Sequence, residues 1–459
     1  MLFNSPLFIL VFLPPVLALY YAAAERRTLR QAIAVAASLG FYGYWNYRFV
    51  PLLVGLTVVN YLIAHWHGRG GLRGHLPMIG VAVNLAVLCI FKYANFIGGN
   101  LAALAGQPFQ PWDIILPLGI SFFVFQKISY LIDLKRGDRH IYGLLDFSMF
   151  VSFFPQLIAG PLVRHNEIIG QFEASPCRPG MWENLGRGFV LFLLGIVKKA
   201  AIADTMALIC DPLFQQAAGG AALNGAEAWA AAVTYTLQIY FDFSGYSDMA
   251  IGLGLMFGLR LPFNFNAPYR SISIREFWRR WHMTLSRFLR DYLYIPLGGS
   301  RSGPGRQALN VVLTMLLGGL WHGASWTFVA WGGLHGLALA VNGAWNRTGR
   351  RLPWGLGWVS TMLFVIGAWV LFRSPDFGTA AHILASMAGL NGIGTAKLDN
   401  ALAVDLAAVL AVFGPTSQSL ALEKLRPSPW LAVPAGIAMV LVLLLIGGRI
   451  PNEFIYFQF

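Results

Sequence analysis

Long apolar segments, separated by short loops that hold most of the charged residues, recur along nearly the whole chain. Only 12% of the 459 residues are charged, whereas soluble domains carry about 25%. The segments do not alternate every second residue over about ten residues, as the strands of a membrane barrel would. The sequence therefore predicts an all-α polytopic membrane protein with roughly 11–13 apolar segments, some re-entrant or interfacial. We interpret residues 1–459 as one integral-membrane domain.

The net charge of +13 would indicate nucleic-acid binding in a soluble domain. In a membrane protein, basic residues first mark the loops that stay in the cytoplasm. Residues 270–306 hold eight arginines against the two acidic residues Glu276 and Asp291. This stretch is therefore predicted to face the cytoplasm, and no nucleic-acid partner is expected.

His322 and His335 lie in the almost uncharged stretch 313–336. The apolar segment before them, Gln307 to Leu320, has only 14 residues. At roughly 21 Å of helix, it is predicted to end inside a hydrocarbon core about 30 Å thick. Glycines on both sides of His322 would let the backbone turn there. A neutral imidazole at such a break is a candidate general base, and a structural histidine bonded to a neighbouring helix explains the pattern equally well.

Residues Ile274 to Asp291 show the periodicity of one amphipathic helix. Tryptophan, phenylalanine and leucine share one face, and arginines take the other, which suits lipid phosphates or the cytoplasmic interface. His282 falls on the apolar side. The spacing leaves open whether His282 is packed or faces a site. It is 40 residues from His322, so only the fold can bring these two histidines together.

A polar cluster interrupts the apolar surroundings at Gln238 to Asp248, with two carboxylates and three hydroxyls within seven residues. Such a cluster inside a membrane is a functional-site hypothesis by default. The alternative is an unwound loop whose hydroxyls cap two half-helices.

Prolines and a glycine break the apolar segment from Phe154 to Glu167, which we interpret as a re-entrant turn rather than a reaction centre. The sequence has no nucleophile elbow and no phosphate-binding loop. The three cysteines are far apart and match no zinc spacing. His65 and His67 border a basic loop and are interpreted as interfacial residues. No metal is expected.

Two quoted stretches carry a family resemblance: RSISIREFWRRWHMTLSRFLRDYLYIPLGGS at 270–300 and LGGLWHGASWTFVAWGGLHG at 317–336. They resemble the membrane-bound O-acyltransferases. Within that family the sequence is most similar to members that serve alginate O-acetylation, and less similar to those that transfer D-alanine to lipoteichoic acid. The resemblance covers nearly the whole chain.

The resemblance implies a ring of helices around a thinned centre, where a cytoplasmic and an extracytoplasmic funnel meet. It implies that His322 is the general base and that His282 orients the donor or the partner histidine. Five further residues are expected to line the passage: Asp242, Ser244, Tyr246, Trp321 and His335. Three arginines are expected to hold phosphates of the donor or of lipids: Arg275, Arg279 and Arg280.

The resemblance also implies the partners of the reaction. The donor would be acetyl-CoA or another acyl thioester, with no permanently bound cofactor. The protein would lie in the bacterial inner membrane and work with extracytoplasmic acetyltransferase partner proteins and the polysaccharide synthesis machinery. The terminal segment Phe454 to Phe459 could dock such a partner or anchor at the membrane interface, and both readings stay open.

Two other functions remain as alternatives. One is transfer of D-alanine or another acyl group to a cell-envelope polymer. The other is a transporter or flippase, in which the buried polar cluster would be a substrate path. A transporter would typically show paired internal repeats, and none is evident in the sequence.

Overall fold

The computed structural model describes residues 1–69, 74–398, 400–448 and 453–457. Across these residues the chain forms helices and no β-strand. The α-helices of the first part are α1 (Leu13–Ala22), α2 (Arg27–Asn46), α3 (Val50–Gly68), α4 (Leu76–Leu88), α5 (Ala94–Leu104), α6 (Ile120–Lys135), α7 (Leu144–Ser152), α8 (Phe154–Leu157), α9 (His165–Ile168) and α10 (Met181–Ile196).

The α-helices of the second part are α11 (Asp204–Ala218), α12 (Gly225–Met256), α13 (Ile274–Arg280), α14 (Met283–Leu289), α15 (Gly303–His322), α16 (Trp326–Arg347), α17 (Trp354–Arg373), α18 (Phe377–Met387), α19 (Ala401–Phe413) and α20 (Pro429–Gly447). Wider π-helical turns extend several of them, at Leu7–Phe12, Cys89–Tyr93, Val197–Ala203, Arg290–Tyr294 and Ser419–Lys424. Short 3₁₀ turns occur at Tyr47–Phe49, Ile169–Glu173, Pro268–Arg270 and Ile455–Phe457.

Four helical stretches of the described chain are long and apolar enough to cross a membrane: Arg27–Gly68, Leu76–Leu104, Trp354–Arg373 and Trp430–Gly447. Shorter apolar helices accompany them at Leu7–Ala22, Phe377–Met387 and Ala401–Phe413. The prediction of an all-α membrane protein is therefore confirmed.

The chain divides into two compact units. Unit 1 comprises Met1–Gly195, Tyr246–Pro262 and Ala421–Glu453, and unit 2 comprises the remaining segments, Ile196–Gly245, Phe263–Leu420 and Phe454–Phe459. The interpretation of residues 1–459 as one domain stays a prediction.

Phenylalanine rings fill the interior of unit 1. The ring of Phe41 lies 5.4 Å from that of Phe3 and 5.5 Å from that of Phe154. Glycines bring α10 close to the last part of α12, since a Cβ on Gly252 would overlap the backbone of Gly188. The segment from Phe154 to Glu167 is broken, as its prolines predict: α8 ends at Leu157 and the next helix begins only at His165.

Tryptophan rings fill the interior of unit 2, which holds His282, His322 and His335. The ring of Trp369 lies 4.9 Å from that of Trp281 and 5.6 Å from that of Trp331. All three predicted site histidines therefore lie in one compact part of the chain.

Two glycines set the approach of α15 and α16, which form an antiparallel hairpin in unit 2. A Cβ on Gly319 would overlap the carbonyl oxygen of Phe328, and a Cβ on Gly332 would overlap that of Met315. The two backbones therefore touch directly. Gly332 and Gly336 form a small-xxx-small pair, a spacing that favours such close packing of membrane helices.

Helix α15 is longer than the sequence predicted. It begins at Gly303 and has 20 residues, so the predicted start at Gln307 is wrong. The helix is not among the described stretches that are long and apolar enough to cross a membrane, and the prediction that its apolar part ends inside the membrane stays a prediction. The apolar pattern missed the first turn because Pro304 and two glycines look like a loop. Proline is well tolerated in the first turn of a helix, where its missing N–H is not needed. The predicted end of the helix at His322 is confirmed.

The stretch from Ile274 to Asp291 is two helices rather than the single amphipathic helix that the periodicity predicted. Helix α13 ends at Arg280 and α14 begins at Met283. The break has a tertiary cause: the N–H of Met283 donates to the carbonyl of Asn264 over 2.9 Å instead of continuing the helix. A contact from a distant loop thus replaces a local hydrogen bond.

Helix α12 runs without interruption through the polar cluster, over 32 residues. The alternative of an unwound loop at Gln238 to Asp248 is therefore wrong. Gly245 is the only glycine between Asp242 and Asp248, and one glycine costs a helix only about 1 kcal/mol.

Candidate active site

His322 is the last residue of α15, and the extended backbone of Gly323 ends the helix there. Three aromatic rings surround the imidazole, with ring centroids 5.0 Å away for Trp321, 5.2 Å for Trp331 and 5.4 Å for Phe372. The His322 side chain is buried. Its ring is thus held at a helix end inside an aromatic cage.

His282 lies in the break between α13 and α14, in the left-handed backbone region with φ 41° and ψ 54°. This conformation is unusual for a residue other than glycine, and strained positions of this kind cluster at functional sites. The side chain is fully buried, and its ring lies edge-on to Phe243 with the centroids 4.7 Å apart.

A side-chain amide orients the His282 ring. The Nδ1 atom of His282 lies 3.2 Å from the Oδ1 atom of Asn264. The hydroxyl of Thr284 donates to the same oxygen over 2.7 Å, which assigns it as an acceptor. His282 therefore donates through Nδ1–H, and in the neutral ring the Nε2 atom carries the lone pair.

The fold brings the two histidines together. The ring centroids of His282 and His322 are 6.4 Å apart, and Trp321 contacts both rings. Sequence spacing left open whether His282 packs or faces a site, and the structure places it beside His322. The assignment of base to His322 and of orientation to His282 stays a prediction.

His335, one turn beyond Trp331 on α16, lies behind the aromatic cage. It is fully buried, and its Nδ1 atom accepts a hydrogen bond of 3.2 Å from the indole N–H of Trp278. Its ring centroid is 4.7 Å from that of Trp331. Of the five predicted passage residues, Trp321 and His335 thus lie in the surroundings of His322.

Asp242 is buried and belongs to a different network. One carboxylate oxygen lies 2.6 Å from the Nζ atom of Lys199, and the other accepts the backbone N–H of Ile455 over 3.0 Å. Lys199 also pairs with Asp204 at 2.9 Å. The ring of Phe454 covers the Lys199 ammonium at 4.9 Å. Asp242 thereby connects helix α12 to the end of the chain.

Ser244 and Tyr246 are both buried on the same helix α12. Tyr246 belongs to unit 1, where its ring stacks on Phe3 with the centroids 5.0 Å apart. The passage role of these residues and of Asp242 stays a prediction.

The three arginines predicted to hold phosphates differ in their surroundings. Arg280 pairs with Glu276 at 2.8 Å and also donates to the carbonyl of Asn266. Arg275 and Arg279 are exposed. The latter two are therefore better candidates for an incoming phosphate group.

A cavity of about 160 Å³ lies in unit 2 between α14, α15 and α16. Its walls are mostly apolar and include Trp278, Leu289 and Met315, and Arg290 also lines it. Arg290 donates two hydrogen bonds to Asp291, which raises the pKa of its guanidinium. The mostly apolar walls suit an apolar group, and Trp278 connects the cavity wall to His335. Among the described residues, no group of three His, Cys, Asp or Glu side chains could hold a metal ion.

Sequence reasoning missed several residues of this site. Asn264 lies six residues before the first stretch that carries the resemblance and was not distinguished, because nothing in the spacing connects it to His282. Lys199 could have been found, because it is a lysine in apolar surroundings and intramembrane charges are functional or paired. Trp331 and Phe372 could not be separated from ordinary core aromatics.

The fold and site define an integral membrane protein with two adjacent buried histidines in a helical core. The sequence model of the membrane-bound O-acyltransferase family matches residues 76–374. This chain belongs to that family and is an acyltransferase. The resemblance drawn from the sequence is therefore confirmed.

Several characterised or named proteins are similar to this chain. The peptidoglycan O-acetyltransferase of Helicobacter pylori is 40% identical over 433 residues, covering 87% of this chain and 82% of that protein. The probable alginate O-acetylase AlgI of Pseudomonas aeruginosa is 45% identical over 399 residues, covering 84% of this chain and 75% of that protein. The teichoic acid D-alanyltransferase of Streptococcus thermophilus is 29% identical over 238 residues, covering 50% of this chain and 57% of that protein.

Proposed function

We propose that this membrane O-acyltransferase takes an acetyl group from a cytoplasmic thioester and passes it across the membrane for O-acetylation of an exopolysaccharide such as alginate. The observation that carries this proposal is the buried pair of His282 and His322, 6.4 Å apart. The relatives named O-acetylase and O-acetyltransferase support the acetyl group. The donor is acetyl-CoA or another acyl thioester, and no cofactor is permanently bound.

In this proposal His322 acts as the general base. As the hydroxyl oxygen of the acceptor attacks the thioester carbonyl carbon, His322 takes the hydroxyl proton. A C–O bond forms, the C–S bond breaks, and the thiolate leaves and recovers the proton from the imidazolium. General base catalysis of this kind typically contributes about 100- to 10,000-fold. His282, held by Asn264, orients the reacting groups.

The exposed Arg275 and Arg279 would receive the phosphates of the donor from the cytoplasmic side, because arginine forms strong charge-assisted bonds with phosphate. The protein would lie in the bacterial inner membrane. Extracytoplasmic acetyltransferase partner proteins and the polysaccharide synthesis machinery would then use the transferred acetyl group.

A second acceptor has direct support from a comparison. The Helicobacter pylori relative is named for peptidoglycan and is as extensive a match as the alginate relative. Peptidoglycan is therefore the second candidate polymer, with the same chemistry at the histidines. Transfer of D-alanine has weaker support, since that relative matches only half of this chain.

The test is the ester-bound acetate on the host's exopolysaccharide and peptidoglycan. It compares wild type, a deletion strain, a His322→Ala strain and a His75→Ala strain, with membrane levels of the protein checked by blot. His75 is an exposed histidine at the start of α4, in unit 1. We expect loss of exopolysaccharide acetate in the deletion and His322→Ala strains, and normal acetate with His75→Ala.

Each alternative result of the acetate measurement leads to a different conclusion. Loss of peptidoglycan acetate alone would establish the second acceptor in place of the first. Acetate retained on both polymers in the deletion strain would contradict acetyl transfer, and a loss of ester-bound alanine would replace it with D-alanyl transfer. Acetate lost in the deletion strain but retained with His322→Ala would move the base to another residue.

A further inference from the structure

Two buried N–H groups on α16 have no hydrogen-bond partner among the described residues. They are the indole Nε1 of Trp331 and the Nε2 of His335, and both side chains are at most 1% exposed. A buried donor left unpaired costs about 1–3 kcal/mol. Native structures keep such groups rarely, and each calls for a reason.

The hydrogen bond from Trp278 defines what His335 can offer. An indole nitrogen only donates, so the Nδ1 atom of His335 must accept and carries no proton. In the neutral ring the proton is then on Nε2. His335 is therefore a second N–H donor beside that of Trp331, and not a second base.

The fold places Trp331 beside His322, and His335 beside Trp331. Trp331 and His335 are four residues apart on α16, so their side chains share one helix face. Their ring centroids are 4.7 Å apart, and the Trp331 ring is 5.2 Å from that of His322. The direct backbone contact between Gly319 and Gly332 holds α16 against the helix that carries His322.

Other tryptophans of unit 2 use their indole N–H groups. Trp229 donates to the carbonyl of Met387, and Trp358 donates to the carbonyl of Tyr269. The indole N–H of the buried Trp369 also has no partner among the described residues, so what distinguishes Trp331 is its ring, 5.2 Å from that of His322. Its position against the candidate base points to a reacting group as the missing acceptor.

We infer that Trp331 Nε1–H and His335 Nε2–H form an oxyanion site for the acyl carbonyl, an inference that rests on the proposed function. When the acceptor oxygen bonds to the carbonyl carbon, the π electron pair moves to the carbonyl oxygen. The two N–H groups stabilise that negative charge. The pair returns as the C–S bond breaks. Donors already placed in a water-poor site stabilise developing charge most strongly. Trp278 is a positioning residue, since it sets the proton on His335.

The test uses inverted membrane vesicles from a deletion strain complemented with each variant. Acetyl-CoA is the probe, and release of free CoA thiol is the readout. The variants are Trp331→Phe, which keeps a ring but removes the N–H, His335→Leu, which removes the donor, and His335→Gln, which keeps one. The matched control is Trp358→Phe, because it removes an indole N–H bonded outside the site.

An oxyanion donor acts on the transition state, so kcat should fall while KM for acetyl-CoA stays the same. We expect Trp331→Phe and His335→Leu each to lower kcat by about 100-fold or more. His335→Gln should keep most of the activity that His335→Leu loses. Trp358→Phe should have the same kcat and KM as wild type. If His335→Leu fails to reach the membrane, the kcat values of Trp331→Phe and His335→Gln decide whether the oxyanion site exists.

A kcat of Trp331→Phe equal to wild type would overturn the oxyanion site while leaving the proposed function intact. A raised KM with unchanged kcat in these variants would also overturn it, because the donors would then act in binding. If wild-type vesicles release no more thiol than the deletion strain, acetyl-CoA is not the donor, and the inference fails together with that part of the proposed function.

Discussion

His282 has a backbone conformation that histidine rarely adopts, and contacts with other residues hold it there. Its left-handed backbone would suit glycine or asparagine better, yet the surrounding contacts impose it. Asn264 supplies the contacts: its main-chain oxygen binds the Met283 N–H, and its side-chain oxygen faces the Nδ1 atom of His282 and the hydroxyl of Thr284. Asn264 therefore determines both the break between α13 and α14 and the orientation of the His282 ring.

Asn264→Ala should reduce acyl transfer strongly. Without the acceptor, the His282 ring is free to change tautomer and to move, and a displacement of about 1 Å can cost about 100-fold in rate. Asn264→Asp keeps an acceptor oxygen and should retain far more activity. The measurement is thiol release from acetyl-CoA in membrane vesicles at matched protein level. Equal activity of the alanine and aspartate variants would contradict the orienting role of Asn264.

The hairpin of α15 and α16 is the element on which the site depends. His322, Trp331 and His335 keep their mutual distances because two glycine backbones touch. Membrane helices gain little from hydrophobic burial against lipid, so close van der Waals contact carries their packing. The smallest side chain is required at these positions for that reason.

Gly332→Ala should separate the two helices, because its Cβ would overlap the carbonyl oxygen of Met315, which belongs to a rigid helix backbone. Gly343→Ala on the same helix is the matched control, since its Cβ would meet only the end of the Arg275 side chain at 3.7 Å. Thermal unfolding in detergent, followed by tryptophan fluorescence, should show a lower midpoint for Gly332→Ala alone. A midpoint equal to that of Gly343→Ala would show that the hairpin tolerates the added methyl group.

Across the whole chain, residues far apart in sequence meet in one cluster of charged side chains. Lys199, Asp204 and Asp242 form it, and the backbone of Ile455 closes it. Phe454 and Ile455 are buried there. These two residues of the terminal aromatic segment are therefore packed within unit 2 rather than displayed to a partner, while Gln458 and Phe459 lie outside the described residues.

Asp242→Asn should destabilise the protein, because it leaves the buried Lys199 ammonium with one carboxylate instead of two. Removing one partner of a buried ion pair typically costs about 3–5 kcal/mol. Asp204→Asn is the matched comparison and should cost less, because its side chain is 16% exposed, against 2% for Asp242. Unfolding midpoints in detergent measure both. A stable Asp242→Asn protein that has lost acyl transfer would instead favour the predicted passage role.

The class of protein follows from the sequence alone. The chain has too few charged residues to form a water-facing surface, which indicates a membrane protein. The motifs around His282 and His322 identify the family. The sequence also predicted the end of α15 at His322, where Gly323 follows with an extended backbone. These properties depend on composition and on neighbours along the chain.

The break at His282 and the partners of Asp242 depend on contacts that form only in the folded chain. In each case the deciding atom comes from a residue far away in sequence: the carbonyl of Asn264, the ammonium of Lys199 and the N–H of Ile455. The periodicity of apolar residues indicates which face of a helix is directed to solvent or lipid. It carries no information about contacts with residues far away in sequence. The chemistry of the site depends on those long-range hydrogen bonds, which is why the sequence predicted the histidines but not what orients them.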